Sequence, residues 1–134
     1  MHRTFFISAA LLAGLSIAAS AQQPQAGTWD SKTTMGPKDS VVATTVLTTT
    51  GDTKGWTMAF PNAKEPIAVR VVSMAGDSVV TEAGPFPSHV RPGQTVTLLH
   101  TVGHYKGDQM WGTSVAQYAS GDKLTFKLTA TRRK

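Results

Sequence analysis

The sequence predicts an all-β protein whose antiparallel strands form an eight-stranded up-and-down barrel. In several short runs apolar side chains recur at every second position, as at Trp56, Met58 and Phe60, which is the period of a strand. Residues 41–50 (VVATTVLTTT) are almost all β-branched, which favours strands over helices. Four Gly-Asp pairs separate such runs, and glycine readily takes the positive φ of a tight hairpin.

Seven connections divide the chain into eight predicted strands. Four are Gly-Asp turns, and the three longer ones are 35–40, 61–66 and 84–93. The predicted strands lie near residues 27–34, 41–50, 54–60, 67–74, 78–83, 94–105, 109–119 and 123–132. Closing such a sheet into a barrel removes its unpaired edges.

The connections of an up-and-down barrel alternate between its two ends. The Gly-Asp turns at 51–52, 76–77 and 107–108 therefore share one end, which we call the base. The three longer connections share the other end, the mouth, with Gly121-Asp122. Residues 84–93 (GPFPSHVRPG), here named the mouth loop, are the longest of them. This asymmetry predicts a tightly closed base and a mouth framed by loops.

The length of each turn decides which side chains point into the barrel. Two-residue turns at 107–108 and 121–122 would place His100 opposite Val115, Phe126 opposite Gln117, and Arg132 opposite Trp111. A three-residue turn at 75–77 would pair Arg70 with Glu82 on the outer face. The residues predicted to point inward are Trp56, Met58, Phe60, Ile67, Val69, Leu98, His100, Val115, Gln117, Phe126 and Leu128. An eight-stranded interior is either filled by such side chains or holds one small ligand.

Residues 1–21 have the pattern of a secretory signal peptide. Arg3 supplies the positive start, an apolar run follows, and Ala19-Ser20-Ala21 fits the small-residue cleavage rule. The run is shorter than the roughly 20 apolar residues of a membrane-spanning helix. We therefore expect residues 22–134 to form a single β-barrel domain that is secreted or periplasmic and has no membrane span.

The composition argues against several classes of function. The chain has no cysteine, which excludes disulfides and thiol chemistry. Its net charge of +5 is spread along the sequence without a nucleic-acid-binding motif, so we expect no nucleic-acid partner. Neither a pair of inward carboxylates nor a Gly-x-Ser-x-Gly motif is present, so nothing in the sequence motivates an enzyme.

Histidine is the remaining candidate for metal or haem chemistry. His100 and His104 lie four residues apart on one strand, which is roughly 13 Å and too far for both to ligate one metal ion. An inward His100 alone could hold a haem iron, and this alternative stays open. We expect no metal and no cofactor.

Gly27-Thr28-Trp29 opens the first predicted strand, and Arg132 lies late in the last. Together with the eight strands and the loop asymmetry, these residues resemble the calycin group, which includes the lipocalins. The resemblance implies a small exported bacterial barrel in which Trp29 closes the base and Arg132 packs across its ring. The chain departs from the lipocalin pattern at Gln25, where that family has Asn, and it lacks the family's Thr-Asp pair near the turn at 107–108.

We expect a non-catalytic exported barrel that binds a small apolar or amphipathic molecule through its mouth. The alternative is a protein-interaction or structural envelope module with a filled core. Its contact surface would be the mouth loop, which would present Phe86 and His89, or the basic tail at residues 132–134. The sequence leaves the oligomeric state open. The candidate ligand-binding residues are Trp56, Met58, Phe60, Ile67, Phe86, His89, Leu98, His100, Gln117 and Phe126, and the structural residues of the base are Gly27, Trp29 and Arg132.

Overall fold

A computed structural model describes residues 25–134, and the predicted signal peptide lies outside these residues. The strands are β1 (Gly27–Met35), β2 (Ser40–Thr49), β3 (Trp56–Ala59), β4 (Ile67–Ala75), β5 (Ser78–Ala83), β6 (Phe86–Pro87), β7 (Thr95–Lys106), β8 (Gln109–Tyr118) and β9 (Lys123–Arg132). Neighbouring strands pair antiparallel in the order β5-β4-β3-β2-β1-β9-β8-β7, and pairing of β5 with β7 closes the ring. The predicted fold class, an eight-stranded up-and-down barrel, is confirmed.

The described part of the chain contains one short strand that the sequence did not predict. β6 lies inside the mouth loop and pairs with the start of β7, where Phe86 lies opposite Val96. Across residues 25–134 the structure contains no helix with the length and apolar character needed to cross a membrane.

The connection between β4 and β5 has the predicted register. Arg70 lies opposite Glu82 and Val69 opposite Ala83. The turn itself is shorter than expected, because Ala75 pairs with Ser78 across two residues. A bulge between Val71 and Ser73 supplies the additional residue, so the predicted faces of both strands are retained.

The register of β8 with β9 differs from the prediction. Phe126 lies opposite Ser114 rather than Gln117, because Tyr118 N donates to Asp122 O and closes a three-residue loop at 119–121. The register of β7 with β8 is the predicted one, with His100 opposite Val115. A shift by an odd number of residues reverses the face of a strand, so β7 and β8 are both inverted relative to the prediction.

This inversion corrects five inferences. The even-numbered residues of β8 are the inward ones, and the inner face of β7 carries Leu99, Thr101 and Gly103. On the β8 side Arg132 lies next to Asp108, whose carbonyl oxygen accepts from Arg132 N, rather than opposite Trp111, and on the β1 side it pairs with Trp29. The residues predicted to point inward that lie on the outer face are Leu98, His100, Val115 and Gln117.

The predicted hairpin at Gly51-Asp52 is a longer connection spanning residues 50–55. Asp52 organises it, because its Oδ1 accepts from Lys54 N at 2.7 Å. The Asp52 carbonyl oxygen accepts from Trp56 Nε1 at 3.0 Å, which fixes the start of β3. β3 therefore begins at Trp56 and not at Lys54.

The base is closed by Trp29, whose side chain is 0% exposed. It packs with Tyr105, Met110 and Ala130, and the Arg132 guanidinium carbon lies 4.5 Å from the centroid of its ring. Trp29 Nε1 donates to Gln25 O at 3.3 Å and to Thr49 Oγ1 at 3.2 Å. The polar edge of the indole is thus satisfied inside an otherwise apolar cluster.

Gly27 makes room for this arrangement. Its φ is +146°, and a Cβ on its backbone would lie 3.3 Å from Cγ and Cδ of Arg132. A larger residue would be strained and would push Arg132 away from Trp29. Glycine two residues before the tryptophan therefore allows the arginine to cover the ring.

Candidate functional site

The interior of the barrel contains a cavity of about 110 Å³. Apolar side chains from the strands β2 to β9 form most of its wall and are themselves largely buried. They include Trp56, Met58, Val69, Val79, Ala116 and Phe126. The cavity lies between the cluster around Trp29 and the mouth loop, so the base closes it from below.

Hydroxyl groups interrupt the apolar wall on two sides. Ser31 and Thr45, which are paired across β1 and β2, line one side of the cavity. Thr81, Thr101 and Ser114 follow one another across β5, β7 and β8 on another. Among the described residues that line the cavity, none is Asp, Glu, Lys or Arg. The interior can therefore accept a neutral polar group, and among the described lining residues only His89, at the edge of the mouth, could carry a positive charge.

The hydroxyl of Ser31 differs from the others. The residue is 3% exposed, and within residues 25–134 its Oγ has no hydrogen-bond partner. By contrast, Thr101 Oγ1 and Ser114 Oγ are hydrogen-bonded to each other at 2.7 Å. Leaving a buried hydroxyl without a partner costs about 1–3 kcal/mol. Ser31 is thus a hydrogen-bonding group inside the cavity that the protein itself does not use.

The mouth loop closes the cavity from above. Phe86 packs into the core and is 6% exposed. Ser88 is also buried, and its Oγ accepts from Val90 N at 3.2 Å and from Arg91 N at 2.9 Å. The same oxygen is hydrogen-bonded to Tyr118 OH at 3.0 Å, which ties the loop to β8. Phe86 is therefore not presented at the surface as the protein-interaction alternative expects, because the ring faces the interior, whereas His89 is exposed.

An aromatic pair lies at the edge of the mouth. The rings of Phe60 and His89 are stacked, with centroids 3.8 Å apart and planes inclined by 12°. Phe86 lies next to them, 6.0 Å from Phe60 between ring centroids. His89 is exposed while Phe60 is half-buried, so the pair separates the cavity from solvent.

The structure brings seven of the ten predicted ligand-binding residues to the cavity or the core beside it. Trp56, Met58, Phe60, Phe86, His89 and Phe126 line the cavity, and Ile67 packs against the core cluster next to Met58. Leu98, His100 and Gln117 do not take part, because they lie on the outer face. Their predicted inward position is wrong for the single reason that β7 and β8 are inverted.

His100 cannot serve as an axial ligand for a haem inside the barrel. Its Nδ1 lies 3.1 Å from Oε2 of Glu82, on the outer face that also carries Arg70. In the described part of the chain, no group of three or more His, Asp or Glu side chains is placed to hold a metal ion. The haem alternative has no support from the position of this histidine.

Sequence reasoning missed Ser31, although a signal for it was present. The resemblance implies that Trp29 closes the base of the barrel, and residues two apart on a strand share a face, so Ser31 and Thr33 belong to the same interior surface. The hydroxyls on β7 and β8 were missed for a different reason, since the inverted register turned Thr101 and Ser114 outward.

Fold and site together define a closed eight-stranded antiparallel barrel with a capped, mainly apolar interior cavity. No protein-family model, no curated protein and no solved structure gives a significant match to this chain.

Proposed function

We propose that this protein is a non-catalytic, exported barrel that binds a small apolar or amphipathic molecule inside the cavity beneath the mouth loop. The observation that carries the proposal is the cavity itself, which lies in the middle of a closed barrel and is lined mainly by apolar side chains. Concave, largely apolar sites with a few polar groups are the usual form of small-molecule sites.

The size of the cavity limits the ligand. Its volume of about 110 Å³ approaches the ~150 Å³ of an engineered apolar cavity that binds benzene. Sites for drug-sized molecules are larger, from about 300 Å³ upward. The proposed ligand is therefore the size of a single ring or a short chain, unless the mouth loop moves.

We further propose that the barrel is related to the calycins. The support comes from the base, where Gly27 gives space to Arg132 and Arg132 covers Trp29. The export part of the proposal rests on the pattern of residues 1–21 alone.

Binding can be tested with benzene as an apolar probe of matching size. We expect saturable NMR shifts in a chain of residues 22–134, concentrated at the Trp56 indole, Val79 and Ala116, which line the cavity. Ala116→Leu would fill part of this space and should abolish the shifts. Shifts confined to surface residues, or an Ala116→Leu protein that binds equally well, would refute the proposal.

The natural ligand can be sought by native mass spectrometry. Protein purified from its own host should carry a small molecule that is released on denaturation, and the Ala116→Leu variant prepared in parallel should lack it. If neither sample retained a small molecule, the result would favour a structural module with a filled interior instead.

A further inference from the structure

We propose that the ligand is neutral and carries one hydrogen-bonding group, as a small alcohol, phenol or ketone does, and that Ser31 Oγ binds this group. This inference rests on the proposed function and specifies the chemistry of its ligand. According to this inference, Ser31 makes the cavity prefer amphipathic molecules to purely apolar ones.

The position of Ser31 provides the first argument. It follows the fully buried Trp29 on the inner face of β1 and lines the cavity. Its hydroxyl oxygen is buried and unpartnered among residues 25–134, whereas the Ser88 hydroxyl binds Tyr118 and the loop backbone. Ser31 Oγ is free to donate one hydrogen bond and accept others.

The charge distribution provides the second argument. The described cavity lining contains neither a carboxylate nor a Lys or Arg side chain. The Arg132 guanidinium at the base covers Trp29, and its Nε lies 3.0 Å from Asp108 Oδ1. The one histidine of the described lining, His89, is stacked on Phe60 at the exposed edge of the mouth. A buried ionised group without a counter-charge is strongly unfavourable, so a carboxyl or amino group that enters beneath the mouth would do so in its neutral form.

The apolar part of the cavity wall determines the chemical character of the rest of the ligand. Around the hydroxyls lie Trp56, Met58 and Phe126, which offer only apolar contact inside the cavity. A molecule with one polar atom and a ring or short chain satisfies Ser31 and buries its remaining surface against these side chains. Phenol and benzene, which share a ring and differ by one hydroxyl, are the matched probes.

The test compares the affinities of phenol and benzene for the wild type and for Ser31→Ala, by calorimetry or NMR titration. We expect Ser31→Ala to weaken phenol about tenfold, as loss of one buried hydrogen bond predicts, and to change benzene less than about twofold. Ser31→Cys, which keeps the shape but is a weak hydrogen-bonding group, should also lose most of the preference for phenol. Ser73→Ala removes an exposed hydroxyl from β4 and should change neither affinity.

The possible failures are distinguishable. If both probes bind the wild type but Ser31→Ala and Ser31→Cys weaken them equally, the role of Ser31 is overturned and the cavity remains a binding site. If neither probe binds the wild type at the cavity, the proposed function fails together with this inference. Ser31→Ala should fold normally, because it replaces an unpartnered hydroxyl by an apolar group.

Discussion

Trp29 is the residue on which the base depends most. It is fully buried, its single indole N–H is shared between Gln25 O and Thr49 Oγ1, and Arg132 covers its ring. Trp29→Ala should lower the free energy of unfolding by about 3–5 kcal/mol, because it leaves a large space in the cluster around Tyr105. Urea denaturation followed by circular dichroism measures this change.

A second tryptophan provides the control. Trp111 is 43% exposed on the outer face, so Trp111→Ala should cost far less stability. Benzene should still bind the folded fraction of Trp29→Ala, since Trp29 does not line the cavity. Lost binding with unchanged stability would contradict the structural role of Trp29.

Asp30 and Arg133 form an exposed pair next to the base. Arg133 Nη2 donates to Asp30 Oδ1 at 2.6 Å, and this hydrogen bond, supported by the opposite charge, lowers the pKa of the Asp30 carboxyl. Arg133→Ala should therefore raise the pKa of Asp30 toward its ordinary value. A carbon-detected NMR titration of the carboxyl group measures the shift directly.

The sign of the pH dependence follows from this direction. Because the pKa of Asp30 is lower in the folded state than in the unfolded chain, its ionised form stabilises the fold above the unfolded pKa. The stability difference between wild type and Arg133→Ala should therefore shrink as the pH falls through the lowered pKa. A difference that grows on acidification would refute the pairing.

At the scale of the elements, β7 and β8 approach each other closely at a pair of glycines, Gly103 and Gly112. A Cβ on Gly112 would overlap the carbonyl oxygen of Val102 and lie 2.8 Å from Gly103 Cα. A Cβ on Gly103 would meet its nearest neighbour, Val79 Cγ1, at 3.6 Å, which is ordinary contact. Gly112→Ala should cost about 1–3 kcal/mol of stability, and Gly103→Ala clearly less. If thermal denaturation showed equal losses of stability for the two variants, the close approach of β7 and β8 at Gly112 would not be what makes its substitution costly.

Three hydrogen bonds of the mouth loop meet at one atom, Ser88 Oγ. Ser88→Ala would remove the acceptor of Val90 N and Arg91 N and the link to Tyr118. We expect faster amide hydrogen exchange at residues 90 and 91 and a loss of about 1–3 kcal/mol, since a buried donor is left without a partner. Ser120→Ala, an exposed position between β8 and β9, is the matched control. Unchanged exchange in Ser88→Ala would mean that the packing of Phe86 and the pairing of β6 with β7 hold the loop without this hydroxyl.

The strands themselves could be predicted because alternation and β-branching are local properties of the sequence. The faces of β7 and β8 could not, since they depend on the length of one loop after Tyr118. A Gly-Asp pair is compatible with a two-residue turn and with the three-residue loop that actually forms, and the two differ by an odd shift. The β4–β5 register was predicted correctly although its turn is also shorter than expected, because the bulge at residue 72 compensates for the missing turn residue.

The candidate site was only partly predictable for a similar reason. Alternation within a strand predicts the inward position of Trp56, Met58 and Phe126. The face on which His100 lies depends on the register between strands. Whether the interior is hollow depends on how side chains of different strands complement one another in size. That information is not present in any single run of residues.

At the scale of the whole molecule, stability and the proposed ligand binding place opposite demands on the cavity. Ala116→Leu adds apolar volume at a residue that is buried and lines the cavity. We expect it to raise the free energy of unfolding by about 0.5–2 kcal/mol, as cavity-filling substitutions commonly do. Differential scanning calorimetry without added ligand measures this, and a strongly lowered melting temperature would indicate a tightly packed interior.

The start of β1 and the end of β9 both lie at the base, where Trp29 pairs with Arg132 and Arg133 N donates to Thr28 O at 2.7 Å. The mouth loop lies at the opposite end of the strands. A tag, linker or surface attachment joined just before β1 or just after β9 would therefore leave the molecule on the side away from the mouth. The barrel can be immobilised on a sensor, or displayed on a cell, with its opening directed toward the solvent.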